Sequence, residues 1–234
     1  MSGHSKWSNI KNKKAANDAA KGSVFTKMAK AVTIAVKKGG GVGDPDKNFS
    51  LRLAVDKARA VNMPKENIDR AIDKGLGKSG AELAELLIEV FAPDGVMAIL
   101  EVVTDSRNRT VAEIRTLIEK HGGRMGEPGS VTYLFDHCGI VHTPDKISDE
   151  MELEMIDLGV TDMVSDEEGT TIYTVAESMH EIVKYLHKRG LTAGGMIGYR
   201  PKVTVAISDS TRVEQFLENV SEYEDVQEVY VNLG

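Results

Sequence analysis

The chain has 234 residues, 29 Lys and Arg against 36 Asp and Glu, a net charge of −7 and 41% hydrophobic residues. That suffices for a buried core in one large domain or two to three small ones, and the one cysteine, Cys138, excludes an intrachain disulfide and fits a reducing compartment. No apolar run approaches the length of a membrane span, and no hydrophobic region follows the Lys-rich start, so neither a membrane partner nor a secretory signal is expected and the cytoplasm is the default location.

The charge is unevenly placed. Residues 1–79 hold 17 basic and 7 acidic residues, for +10, whereas residues 80–234 hold 12 and 29, for −17. Within the first forty residues there are nine lysines, Lys6, Lys11, Lys13, Lys14, Lys21, Lys27, Lys30, Lys37 and Lys38, against one acid, Asp18. Lysines displace condensed counterions from phosphates, so nucleic acid is the expected partner and these nine are the expected contact residues. A solubilising tail is the alternative for any charge run. The acidic remainder repels phosphate, which confines contact to the head and to local basic spots.

Ser8 can cap a short helix reaching about Ala20, with a thin apolar face. A stronger helix is expected over residues 21–38. At about 100° per residue, Val24, Phe25, Met28, Ala29, Val32, Ala35 and Val36 share one face, and Lys27, Lys30, Lys37 and Lys38 share the opposite arc. Gly39-Gly40-Gly41-Val42-Gly43-Asp44-Pro45 follows a helix and not a strand, so it fails as a dinucleotide fingerprint and reads as a flexible loop. Leu51, Ala54, Val55, Ala58 and Val61 mark a third helix. Pro64 suits the first position of a fourth, which Gly75 closes. The last two could imitate a helix-turn-helix, but the reader would carry Lys65, Arg70 and Lys74 against Glu66, Asp69 and Asp73. A zero-sum face enters a groove poorly, so a small helical bundle is preferred. Gly75-Leu76-Gly77-Lys78-Ser79 resembles the end of a P-loop, yet Ile72 stands where that motif needs glycine and no strand precedes it.

In the acidic body, residues 85–91 and 96–104 read as strands about the turn Ala92-Pro93-Asp94-Gly95. Thr110 and Glu113 have capping-box spacing, and Val111, Ile114, Leu117 and Ile118 mark the buried face of the helix they would open. Arg107 and Arg109 at its mouth form a candidate anion site, with pairing to Asp105 and Glu113 as the alternative. Residues 130–135 read as a returning strand. Residues 202–207, 211–220 and 226–231 read as strand, helix and strand that complete the same sheet. Between them, strands over 139–142, 163–165 and 170–175 and helices over 148–158 and 177–189 form a third, strongly acidic unit. The expected fold class is α+β: a basic helical domain (1–79), a split α+β domain (80–135 with 201–234) and an acidic α+β domain (136–200).

His137, Cys138 and His142 lack a fourth ligand and zinc spacing, so no metal is expected there. Ser2-Gly3-His4 could hold Cu(II) or Ni(II) only if Met1 were removed, and no cofactor is expected.

Several blocks occur in order: MSGHSKWSNIKNKKAANDAAKG, GGG, NMPKENIDRAI, TDSRNRTVAEIR and GGRMGEPGSVTYLF. Together they resemble the YebC family of probable transcriptional regulators, which includes the mitochondrial translational activator of cytochrome oxidase. The resemblance spans nearly the whole chain. It implies a three-domain, non-enzymatic protein in which a helical bundle precedes two α+β domains and the C-terminal segment completes the middle one. The start is similar to the bacterial form. The expected function is that of a nucleic-acid-binding regulator acting on DNA and transcription. The alternative is a ribosome-associated translation factor whose head grips ribosomal RNA. No nucleophile–base set, metal cluster or cofactor loop supports an enzyme or a small-molecule substrate.

Overall fold

The computed structural model describes residues 21–78, Gly80, 82–167 and 169–234. Two compact units divide them, residues 21–132 with 207–229 and residues 133–206 with 230–234. The helix expected before residue 20 lies outside the described residues.

The first unit opens with three helices: α1 (Lys21–Lys38), α2 (Phe49–Ala60) and α3 (Lys65–Gly75). Helix α1 has no acid in its first turn and Lys37 and Lys38 in its last, where cations face the negative end of the helix dipole. Val32, Ala35 and Val36 pack with Leu51, Ala54, Val55 and Ala58 of α2 and with Ile68 and Ala71 of α3. Gly75 lets α1 and α3 approach closely, since a Cβ there would stand 2.6 Å from Val36 Cβ and 2.8 Å from the Thr33 carbonyl. The Thr33 hydroxyl donates to the Ala71 carbonyl at 3.0 Å in the same seam.

The loop after α1, expected to be flexible, is instead pinned by Asn48. Its side-chain oxygen caps α2 by accepting from Leu51 N at 3.1 Å, while its amide donates to the carbonyls of Ala35 and Val42. Pro64 is the cap of α3 and not its first helical residue, because its ψ of 141° is extended.

The sheet of this unit has the order β3-β1-β2-β8. Strands β1 (Ala84–Phe91) and β2 (Met97–Thr104) pair antiparallel in register Ala84↔Thr104 to Phe91↔Met97 around a turn with Asp94 at φ 59°. Helix α4 (Arg107–Lys120) follows, then the two-residue strand β3 (Arg124–Met125) against β1. The returning strand expected over 130–135 is absent: residues 132–134 form a 3₁₀ turn. The backbone there is held by a side chain. Glu89, buried in β1, accepts from the N–H groups of Gly129, Val131 and Thr132, so these donors have no need of a sheet partner. Burial pushes the Glu89 carboxyl up, but those hydrogen bonds with the Thr132 side chain outweigh it and hold the group below its ordinary value. Helix α7 (Thr211–Glu222) and strand β8 (Val226–Val231) return from late in the chain to complete the layer.

The second unit is a sheet of order β5-β6-β4-β7, formed by β4 (Phe135–Thr143), β5 (Val160–Asp166), β6 (Gly169–Thr174) and β7 (Gly194–Pro201). Helices α5 (Asp149–Asp157) and α6 (Met179–Lys188) accompany it. Strand β7 is a correction: the expected strand over 202–207 is limited to one bridge, Val205↔Leu233, and the strand beside β4 is the preceding segment GGMIGYRP. Glycines lower strand propensity, but here they clear space. A Cβ at Gly195 would meet Met179 Sδ at 2.6 Å, and one at Gly198 would meet the Tyr230 ring at the same distance.

Helices beside two antiparallel sheets make the chain an α+β protein, as its sequence pattern predicts.

Candidate nucleic-acid interface

Of the nine lysines expected to face a polyanion, Lys6, Lys11, Lys13 and Lys14 lie outside the described residues, and Lys21 opens α1. The other four form the arc predicted from helical spacing, and each meets a partner in its own unit, from Lys30 at 15% side-chain exposure to Lys38 at 58%. Lys27 Nζ donates to the Ser221 carbonyl at the C-terminal end of α7. Lys30 forms an ion pair with Asp225. Lys37 reaches Glu82 at 3.1 Å and the Leu83 carbonyl at 3.4 Å. Lys38 pairs with Glu85 at 2.6 Å. All four therefore bind carboxylates or carbonyls of the same unit.

The centre of the contact is apolar. Ile34, 7% exposed, lies in the middle of the lysine arc and packs with Leu83 and with Val103 of β2. Helix α1 thus buries two faces, one in the bundle and one on the first sheet. Its lysines cover the edge of the second face with their methylene stems and turn their ammonium groups toward fixed acceptors.

Asp225 is the most constrained of those acceptors. Its side chain is 2% exposed, and it receives Lys30 on one oxygen and the Thr110 hydroxyl on the other. Thr110 shares a hydrogen bond with Thr104 at 2.7 Å, and the Val103 N–H donates to the Asp225 carbonyl at 2.8 Å. Burial raises the proton affinity of this carboxyl, yet the bonds from Lys30 and Thr110 outweigh burial and hold it below the ordinary value. Thr110 is therefore an interior hydrogen-bonding residue. The expected capping box does not form, because α4 begins four residues earlier, at Arg107, with Ser106 in place of Thr110 at its cap position.

Arg109 pairs with Asp105 at 2.7 Å, one helical turn away. Its guanidinium is held more firmly protonated by that hydrogen bond and charge, with Asp225 and Glu113 adding to the field. This is the pairing alternative to an anion site, realised for Arg109. Arg107 is exposed and has no ion pair among the described residues.

The partners of the arc, Ser221, Asp225, Glu82 and Glu85, escaped sequence reasoning. They are 195 residues away for Lys30 and 45 for Lys37. One local signal was available: an isoleucine set among lysines marks a surface meant to be covered.

In the second unit three basic side chains are also paired. Arg189 pairs with Glu154, Arg200 with Asp162, and Lys202 with Asp136 at 3.4 Å. Cys138 lies buried on β4, and burial pushes its thiol up to about 11, which leaves it unreactive near neutral pH. Among the described residues there is no cluster of three or more His, Cys, Asp or Glu placed to hold a metal, and no helix is long and apolar enough to cross a membrane.

Comparison with known proteins covers the whole chain. Residues 5–78 match the TACO1/YebC protein N-terminal domain, and residues 83–233 match the TACO1/YebC second and third domain. A probable transcriptional regulatory protein of Thermoanaerobacter pseudethanolicus is 43% identical over 100% of this chain and 97% of its own length. One of Kosmotoga olearia is 42% identical over 99% of this chain and 94% of its own. The crystal structure of a conserved hypothetical protein, Aq1575, from Aquifex aeolicus superposes with a TM-score of 0.82 at 38% identity, covering 93% of this chain and 91% of that one. With matches running from the basic head to the last strand, the chain belongs to the TACO1/YebC family.

Proposed function

We propose that this chain is a non-enzymatic, cytoplasmic, nucleic-acid-binding regulator of gene expression, acting on DNA through the basic head. The observation that supports it most is the charge of residues 1–40, +8 in a chain of −7. The regulatory names of its relatives agree with that reading. The four lysines of α1 that meet partners in their own unit act as struts, so contact falls to Lys6, Lys11, Lys13, Lys14 and Lys21. Lysines present point charges without the fork geometry that reads base edges, so the grip is to phosphate with weak sequence preference.

Filter retention of duplex DNA across a salt series tests this. Five phosphate contacts give a slope of log affinity against log salt of about −4.5. Replacing Lys6, Lys11, Lys13 and Lys14 with glutamine should lower affinity for all sequences alike and flatten the slope. Retention unchanged in that variant would show that the head is not the grip. Co-sedimentation with ribosomes in the same buffers decides the alternative reading. Ribosome association that survives removal of DNA, without duplex retention, would make the target ribosomal RNA and the output translation.

A further inference from the structure

We propose that the head also holds a pocket for one unstacked nucleotide of a single strand, seated between α1 and α3. This deepens the nucleic-acid reading above and rests on it. A cleft of about 350 Å³ opens there. Phe25 and Met63 belong to its apolar lining, and Thr26, Asn67, Arg70 and Lys74 to its polar lining.

Helix α3 looks neutral by composition but is polarised by angle. At about 100° per residue, Asn67, Arg70 and Lys74 share one face with Ala71, and all four line the cleft. Glu66, Asp69 and Asp73 fall on a different face, and Asp73 is already paired with Lys78 at 2.7 Å. The carboxylates therefore stay out of the cleft while the cations enter it.

The cations in the cleft differ in their commitments. Lys30 is matched by Asp225. Arg70 donates to the Asn67 side-chain oxygen at 2.6 Å and to the Glu66 carbonyl, both uncharged acceptors. Lys74 has no ion pair among the described residues. Two positive charges thus line the cleft without a carboxylate paired to them among the described residues. Asn67, with its oxygen engaged by Arg70, keeps its amide N–H groups for an acceptor on the ligand.

That pattern fits a nucleotide: a flat ring on Phe25 and Met63, its phosphate at Arg70 and Lys74. Stacking on an aromatic ring needs a base outside a duplex stack, so the strand is single. A duplex keeps its bases in the stack and offers none to the apolar residues of the cleft.

The test uses the full chain and fluorescence anisotropy. The probes are labelled oligothymidylate and oligouridylate of about 12 nucleotides, within the site sizes of single-strand binders, an abasic oligomer of equal phosphate count, and a duplex. The abasic strand should bind about tenfold more weakly than its base-bearing counterpart. Arg70→Gln with Lys74→Gln should weaken the base-bearing strands about tenfold while duplex affinity changes little, and Arg70→Lys with Lys74→Arg should restore binding. The thymidine and uridine arms identify the strand as DNA or RNA. Equal binding of abasic and base-bearing strands overturns the pocket, as does a glutamine variant that binds them like the parent. The abasic comparison needs no variant and stands even if one fails to fold. If the parent binds no nucleic acid at all, the broader reading fails as well. If it binds duplex alone, only the pocket falls.

Discussion

Helices α1 and α5 each carry one sign of charge along a face with an isoleucine set in it, and the two faces meet opposite fates. On α1 the lysines flank Ile34, which is buried against Leu83 and Val103. On α5 the carboxylates of Asp149, Glu152 and Asp157 flank Leu153 and Ile156, which remain 67% and 51% exposed. Glu154 turns the other way, to Arg189 and Tyr185. The α1 face finds an apolar patch ringed by carboxylates and a helix C-terminus within its own unit. The α5 face has no such counterpart among the described residues. A one-signed helix face is therefore neither outward nor inward by itself. The rest of the fold decides, by supplying or withholding a complementary surface.

The sharpest way to break this comparison is to remove the deepest partner. Asp225→Leu should cost about 3–5 kcal/mol, because Lys30 keeps a largely buried charge without its counterion. Urea denaturation reads it as a lower midpoint. Adding Lys30→Met should recover most of the loss, and an Asp225→Leu chain as stable as the parent would show that α1 is not held by this pair.

Glu89→Gln should cost about 1–3 kcal/mol, since one amide oxygen cannot serve three backbone donors and the new N–H group meets donors. It also changes the response to acid. The folded-state affinities of Glu89 and Asp225 for protons are depressed, so their stabilisation is complete above their ordinary values of 4.5 and 3.8. It is lost as pH falls through the depressed folded values. A pH series of thermal midpoints should show a shallower acid limb in the glutamine variant, and an unchanged limb would argue that Glu89 does not anchor the 129–132 loop.

Lys37→Gln with Lys38→Gln should cost under about 1 kcal/mol, because their partners Glu82 and Glu85 are solvent-exposed and the pairs are screened. Added salt should erase what difference there is. Leu153→Ser with Ile156→Ser should change stability by no more than about 0.5 kcal/mol, as expected of a face covered by nothing. A larger loss in calorimetry would reveal that α5 has a covering surface after all.

Local pattern made much of the fold legible. Periodicity located α1 to within a residue, the turn at Asp94 placed β1 and β2, and Gly75 closed α3. What failed did so for non-local reasons. Strand β7 was hidden because its glycines answer to Met179 and Tyr230, side chains distant in sequence. The strand expected over 130–135 was prevented by one carboxylate, Glu89, that satisfies the backbone from another strand. Thr110 had the spacing of a cap and was instead drawn inward by Asp225. The lysine arc was drawn correctly on its helix, but its partners come from β1 and the segment before it for Lys37 and Lys38 and from residues 221 and 225 for Lys27 and Lys30.

The return of residues 221 and 225 sets an order of events during synthesis. Lys30 meets Asp225 across 195 residues of chain. At ribosomal rates of roughly 5–20 residues per second, about 10–40 seconds separate the emergence of the two groups. Through that interval the helices of the head can close their own core of Val32, Leu51 and Ile68, while Lys27 and Lys30 still lack the acceptors that Ser221 and Asp225 bring. The nascent protein is thus more basic at its surface than the finished one. Strand β8 follows directly on Asp225, whose arrival neutralises Lys30.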